Sequence, residues 1–258
     1  SRSSRGSSRW SSRNGDRVAL KILDPAQLRA ELKQESFAPV YLLAGGDGYR
    51  SERTARWLRD KVIGEDHTGG LNVESAWADE TTPARIAESA SAFPMFGGRR
   101  FLWVRHAESL PAGAAIEPLL RYLERPVEST ILVLTSQKLD RRLKFTAACA
   151  ERGRVVEFNP LSGRELTAQV QRQAQALGLQ LQPEAVSTLI DLVGEDLAEI
   201  DQELQKLALQ SETSTDALSA AAIQQRLRKQ NINTSVSPQS STRLDAAQRN
   251  LPDLVRAS

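Results

Sequence analysis

A single cysteine, Cys149, excludes a disulfide framework and a cysteine-rich metal site in this chain. It lies in an alanine-rich helical stretch and reads as a small core residue. No apolar run approaches the ~20 residues of a membrane-spanning helix, which argues against a membrane partner. The first residues are Ser and Arg without an apolar core, so no secretory signal is visible. The chain is therefore expected in the cytoplasm. Charge of either sign is nearly balanced: 34 Lys and Arg against 32 Asp and Glu give +2, too little to imply a nucleic-acid partner by itself. H-E-x-x-H, G-x-S-x-G and C-x-x-C are all missing. The two histidines, His67 and His106, sit in polar surroundings without a motif, and Asp47, Asp79 and Glu80 read as loop acids without evident pairing. Arg141, Arg142 and Arg152 read as the solvated face of a helix. What is present, 40% hydrophobic and 26% charged residues, is ordinary for a soluble globular protein of one large or two modest domains.

Residues 1–17 are almost entirely Ser, Arg, Gly and Asn, with Trp10 alone and five arginines against one aspartate. Such a segment cannot bury enough surface to fold, and it reads either as a basic arm for nucleic acid or as an extension without function. From 18 to 160 strands and helices alternate. Asp24-Pro25 starts a helix with Leu28 and Leu32 on one face. Apolar strands are predicted over 39–43, 71–77, 101–104, 130–134 and 155–158. Helices are predicted over 51–62, 83–92, 116–123 (Leu119, Leu120 and Leu123 inside) and 141–151. This alternation predicts an α/β fold with a mainly parallel sheet covered on both faces. After Asn159-Pro160 the strand signal ends. Ser162 and Glu165 form a capping-box pattern, and three amphipathic helices over 161–210 predict a separate small helical domain. Residues 211–258 turn polar, with one weak helical pattern over 217–229; the tail is expected to be disordered or weakly helical.

The stretch 92–105, AFPMFGGRRFLWVR, holds three of the six phenylalanines and the only methionine. Helical spacing puts Ile86, Ala90 and Phe93 on one face. Pro94 ends the helix, and Gly97-Gly98 makes a turn before the next strand. Met95 and Phe96 are left on a knuckle, where large apolar side chains either fold back into the core or meet a partner.

The first apolar strand runs into Gly45-Gly46-Asp47-Gly48 and then a helix, the layout of a phosphate-binding loop. The chemistry of G-x-x-x-x-G-K-[ST] is missing. Counting from Gly45, the second glycine falls on Arg50, and Ser51-Glu52 follow in place of Lys and Ser or Thr. The strand that should end in a magnesium-binding acid runs into Thr135-Ser136-Gln137. The loop is degenerate, and no nucleotide, metal or other cofactor is expected.

Several segments together resemble the delta subunit of the bacterial DNA polymerase III clamp loader. They are PVYLLAG at 39–45, FPMFGGRRFLWV at 93–104, TILVLTSQKLDRRLK at 130–144, VVEFNPL at 155–161 and DLAEIDQELQKLAL at 196–209. Order and spacing match from about residue 20 to 209. The resemblance implies an AAA+-like fold without a working ATP site. It implies a non-catalytic subunit of the polymerase holoenzyme, a nucleotidyltransferase only by complex membership. It also implies binding and opening of the sliding clamp for loading on primed DNA during replication. The family's clamp contact, an apolar pair at a helix tip, falls on Met95 and Phe96, with Phe93 beside it. The family continues into a collar domain through which loader subunits assemble, and 211–258 is too short and polar for one. The chain thus reads as truncated or altered there, which puts assembly with other loader subunits in doubt. Two rival readings are a degenerate P-loop NTPase and a nucleic-acid binder acting through the arm and Arg99-Arg100.

Overall fold

The computed structural model describes residues 20–33, 36–64, 71–94, 97–210, 219, 221 and 223–225. The arm 1–17 and nearly all of the tail lie outside them. The chain divides after Pro160 into two compact units. In the first, β1 (Ile22–Leu23), β2 (Val40–Ala44), β3 (Val73–Trp77), β4 (Arg100–Arg105), β5 (Thr130–Ser136) and β6 (Arg154–Glu157) form one sheet in the order β1-β6-β2-β5-β4-β3. Every pairing is parallel. The crossovers are α1 (Pro25–Leu32), α2 (Gly48–Ile63), α3 (Pro83–Ser91), α4 (Glu117–Glu124) and α5 (Lys144–Arg152).

The central strands are apolar at successive positions because both faces are covered. On one face Val40, Leu42, Leu102, Val104, Leu132 and Leu134 pack on Ile86 and Ala90 of α3, Leu119 and Leu123 of α4 and Cys149 of α5. On the other, Tyr41, Leu43, Phe101, Trp103, Ile131 and Val133 pack on Leu28 and Leu32 of α1 and Ala55 and Leu58 of α2. Each valine, leucine, isoleucine or phenylalanine among them contributes about 1.5–3 kcal/mol by leaving water. Cys149 is wholly buried, and burial pushes its thiol pKa up, which keeps it protonated within the core.

Some boundaries differ from the sequence reading. β1 was not foreseen. α5 begins at Lys144 rather than 141, because Asp140 closes a turn first: its carboxylate accepts from the Arg142 amide at 2.9 Å and its carbonyl from Thr146 Oγ1 at 2.7 Å. Arg141 and Arg142 therefore precede the helix and pair with Glu157 and Asp140. In α4, Tyr122 is buried and Leu120 only partly so.

An ion pair ties α1 to the start of β6. Arg154 Nε donates to Glu31 at 2.6 Å, and Lys21 Nζ reaches the other carboxylate oxygen at 3.4 Å. The Arg154 hydrogen bond, foremost, holds the Glu31 carboxyl below its ordinary pKa. A depressed folded-state pKa contributes stability above the unfolded value, and that contribution is lost as pH falls through the folded one. Both groups are partly exposed. Glu31→Gln is therefore expected to cost less than about 1 kcal/mol near neutral pH, and still less below about pH 4. Urea melts at the two pH values check this.

The second unit is built of α6 (Gly163–Ala176), α7 (Pro183–Val193) and α8 (Leu197–Gln210). Its buried side chains include Leu166, Val170, Ala174, Val186, Leu189, Ile200, Leu204 and Leu207. Ser162 stands at the N-cap of α6 but makes no side-chain bond there. Gly163 enters at φ 51, and the first turn closes through the Ser162 carbonyl, which accepts from the Glu165 amide at 3.2 Å. Of the weak helix over 217–229, residues 221 and 223–225 are helical and Ile223 is buried. Among the described residues no helix is long and apolar enough to cross a membrane.

Candidate functional site

Two places matter, and the parallel sheet puts them at opposite ends. The Gly-rich loop leaves the carboxyl end of β2, between the carboxyl ends of β5 and β6. The knuckle leads into the amino end of β4.

The loop is bonded shut. The Gly45 amide donates to the Ser136 carbonyl and the Asp47 amide to the Phe158 carbonyl, each at 3.0 Å. The Phe158 amide returns to the Ala44 carbonyl at 2.8 Å. Asp47, 8% exposed, caps α2: its Oδ1 accepts from the Arg50 amide at 2.9 Å. It is therefore a paired capping residue rather than a loop acid without a partner. The Arg50 guanidinium lies 3.4 Å from the Asp47 carboxylate and 5.7 Å from the centre of the Phe158 ring. A phosphate-binding loop keeps its amides and helix N-terminus for the anion. Here carbonyls take two of the amides and a carboxylate takes the helix end. At the end of β5, Thr135 Oγ1 accepts from Trp103 Nε1 at 3.1 Å, and Ser136 Oγ donates to the Lys138 carbonyl at 2.7 Å. Among the described residues no group of three His, Cys, Asp or Glu side chains is placed to hold a metal ion.

The knuckle begins with α3, capped by Thr82 with Pro83 in its first turn. The helix ends at Ser91, and Ala92 turns extended at φ −70, ψ 142. Phe93 is thereby carried off the inner face that helical spacing assigned it. It is 78% exposed, while Ile86 and Ala90 stay buried. Pro94 keeps the chain from resuming the helix, since it disfavours the helical region for Phe93, the residue before it. Met95 and Phe96 lie outside the described residues. Gly97 and Gly98 return the chain to β4 at φ 79 and φ 73, conformations that favour glycine.

The stems are well tied. Asn72 donates from Nδ2 to the Gly97 carbonyl at 3.3 Å and accepts from the Phe101 amide at 2.8 Å. The Arg100 amide donates to the Ser129 carbonyl at 2.8 Å. Arg99 lies 5.1 Å over the Phe37 ring. Sequence reasoning missed a cluster beside these: Arg100 Nη2 meets Glu74 Oε2 and Ser89 Oγ, the latter at 3.0 Å, and Ser89 Oγ donates to Glu74 at 2.6 Å. No spacing rule joins these three residues, which come from β3, α3 and β4. His106 was read as polar in setting, yet its ring lies edge-on to Trp77 at 4.9 Å. His67 lies outside the described residues.

No curated protein sequence matches the chain. Residues 41–159 match the model of the family described as DNA polymerase III, delta subunit. Among solved structures, the chain is similar to the Bacillus subtilis DNA clamp loader delta protein, with TM-score 0.60 and 25% identity over 78% of this chain and 61% of that one. It thus spans less than two thirds of that protein's length. A RuvB variant from Thermotoga maritima matches with TM-score 0.50 and 15% identity over 80% of this chain and 66% of that one, a likeness of fold alone. The AAA+-like architecture expected from the sequence is therefore present. Over residues 41–159 the chain thus carries the sequence pattern of the DNA polymerase III delta-subunit family, on a fold similar to that of a clamp loader delta protein.

Proposed function

We propose that this chain is a clamp-loader delta subunit that binds the sliding clamp of the replicative polymerase and helps open it, with no ATP site of its own. Phe93, Met95 and Phe96 make the contact. The observation that carries this reading is Phe93: a large aromatic held 78% exposed at the end of a helix whose neighbouring apolar residues are buried. An exposed aromatic beside a tied turn is what an interface anchor requires. The family match and the name of the Bacillus subtilis protein support the assignment of partner. The other loader subunits, and primed DNA through the assembled complex, belong to the same cytoplasmic proposal. A pull-down with the sliding clamp of the same organism tests it; failure to retain the clamp overturns it.

The closed Gly-rich loop supports the second half of the proposal. Binding a nucleotide there would require breaking the Gly45–Ser136 and Asp47–Phe158 hydrogen bonds and expelling the Asp47 carboxylate from the end of α2. Calorimetric titration with ATP and magnesium is expected to give no saturable heat in the micromolar range. A clear micromolar isotherm would refute it.

A further inference from the structure

Resting on the clamp-contact reading, we infer that Glu74, Ser89 and Arg100 are the positioning residues of the knuckle. Ser89 lies in the last turn of α3, just before the knuckle; Arg100 opens β4, just after it; Glu74 sits on β3, alongside β4. The Arg100 guanidinium joins them through one nitrogen, bonded to Glu74 and to Ser89. Ser89 closes the triangle with its own bond to Glu74. The chain between Ser89 and Arg100 is a short span whose two ends are tied through one charged group.

The arrangement suits holding rather than binding. The Arg100 side chain is 15% exposed, and its Nε is buried and makes no hydrogen bond. A guanidinium so enclosed depends on its few partners, and removing one leaves charge poorly compensated in place. The pull of Glu74 therefore sets where the end of α3 sits relative to the start of β4. That spacing in turn fixes where Phe93, at the head of the span, is presented. Preorganising a binding segment raises affinity by removing an ordering cost, without adding a contact. The three residues need not touch the clamp to govern its binding.

The test uses the full chain and the purified sliding clamp, with affinities from surface plasmon resonance. Glu74→Gln and Ser89→Ala are each expected to weaken binding by about tenfold and Arg100→Met by more, while Arg100→Lys, which keeps the charge, recovers most of the loss. A second readout is independent of the clamp: trypsin should cut after Arg99 faster in Glu74→Gln than in the parent, with other sites cut at unchanged rates. Thermal melts should show all variants folded. If the parent binds the clamp and Glu74→Gln and Ser89→Ala bind equally well, the positioning role is overturned and the clamp contact stands. Unchanged cleavage after Arg99 overturns the positioning role in the same way. If the parent does not bind the clamp at all, the contact reading itself falls.

Discussion

Replacing Met95 and Phe96 together by alanine is expected to lower affinity for the sliding clamp by about a hundredfold to ten-thousandfold while leaving the melting temperature nearly unchanged. On the proposed contact each side chain enters an apolar pocket on the clamp and contributes about 1.5–3 kcal/mol, so the pair would contribute about 3–6 kcal/mol. Residues that face solvent in the free protein hold little of its core together, and their loss costs little stability. The opposite assignment makes an opposite forecast. Two core residues of this size would cost about 4–8 kcal/mol of stability through the cavities they leave, enough to unfold a domain of ordinary stability. Melting temperature and clamp affinity on the same double variant separate the two. A large fall in melting temperature, with affinity kept in the folded fraction, would sink the functional reading. The described neighbour, Phe93, already lies on the solvent side.

The second large effect concerns Gly45. Its φ is 137, and a Cβ built there would stand 2.3 Å from the Phe158 carbonyl oxygen, a backbone atom that cannot swing aside. Gly45→Ala therefore meets two costs: about 1–3 kcal/mol for an unfavourable backbone conformation and about 1–3 kcal/mol for overpacking. The sum is a large share of a typical 5–15 kcal/mol. Gly48→Ala is the control, because a Cβ there meets nothing within 4 Å. Urea unfolding should move the midpoint of the first variant strongly down and leave the second within about 0.5 kcal/mol of the parent. Equal midpoints would show that Gly45 is not packed against the Phe158 backbone as described.

Gly45 also shows where sequence reasoning reaches and where it stops. A glycine cluster between an apolar strand and a helix has the layout of a phosphate-binding loop, and the sequence reading went no further than finding its chemistry missing. What approaches is the chain's own Phe158 carbonyl rather than a phosphate, and that partner is over a hundred residues away. Asp47 is the same case: its capping of α2 is local, but its amide is held by the remote Phe158 carbonyl. The strands 39–43 and 130–134 were legible because they are buried on both faces, so their composition alone marks them. β1 was not, since two residues carry no period and their pairing with Val155 and Val156 is remote. Phe93 was misplaced by counting helical spacing one turn too far. The extended Ala92 breaks that spacing, and only the backbone shows it. Glu74, Ser89 and Arg100 are ordinary polar residues until the fold brings three elements together.

The pairing of β1 with β6 governs how the protein is made. Ile22, among the first described residues to leave the ribosome, finds its partner Val155 only near the end of the first unit. The apolar strand Val40–Ala44 waits as well, because both of its neighbours, β5 and β6, are synthesised after it. Contacts so distant in sequence make for slow closure. At roughly 5–20 residues per second, the stretch from Ala44 to Glu157 takes roughly 5–25 seconds to appear. For that interval the nascent chain carries a bare apolar strand with two open edges. Unpaired edges of that kind favour aggregation, so the chain is most exposed to it well before it has a surface to offer any partner.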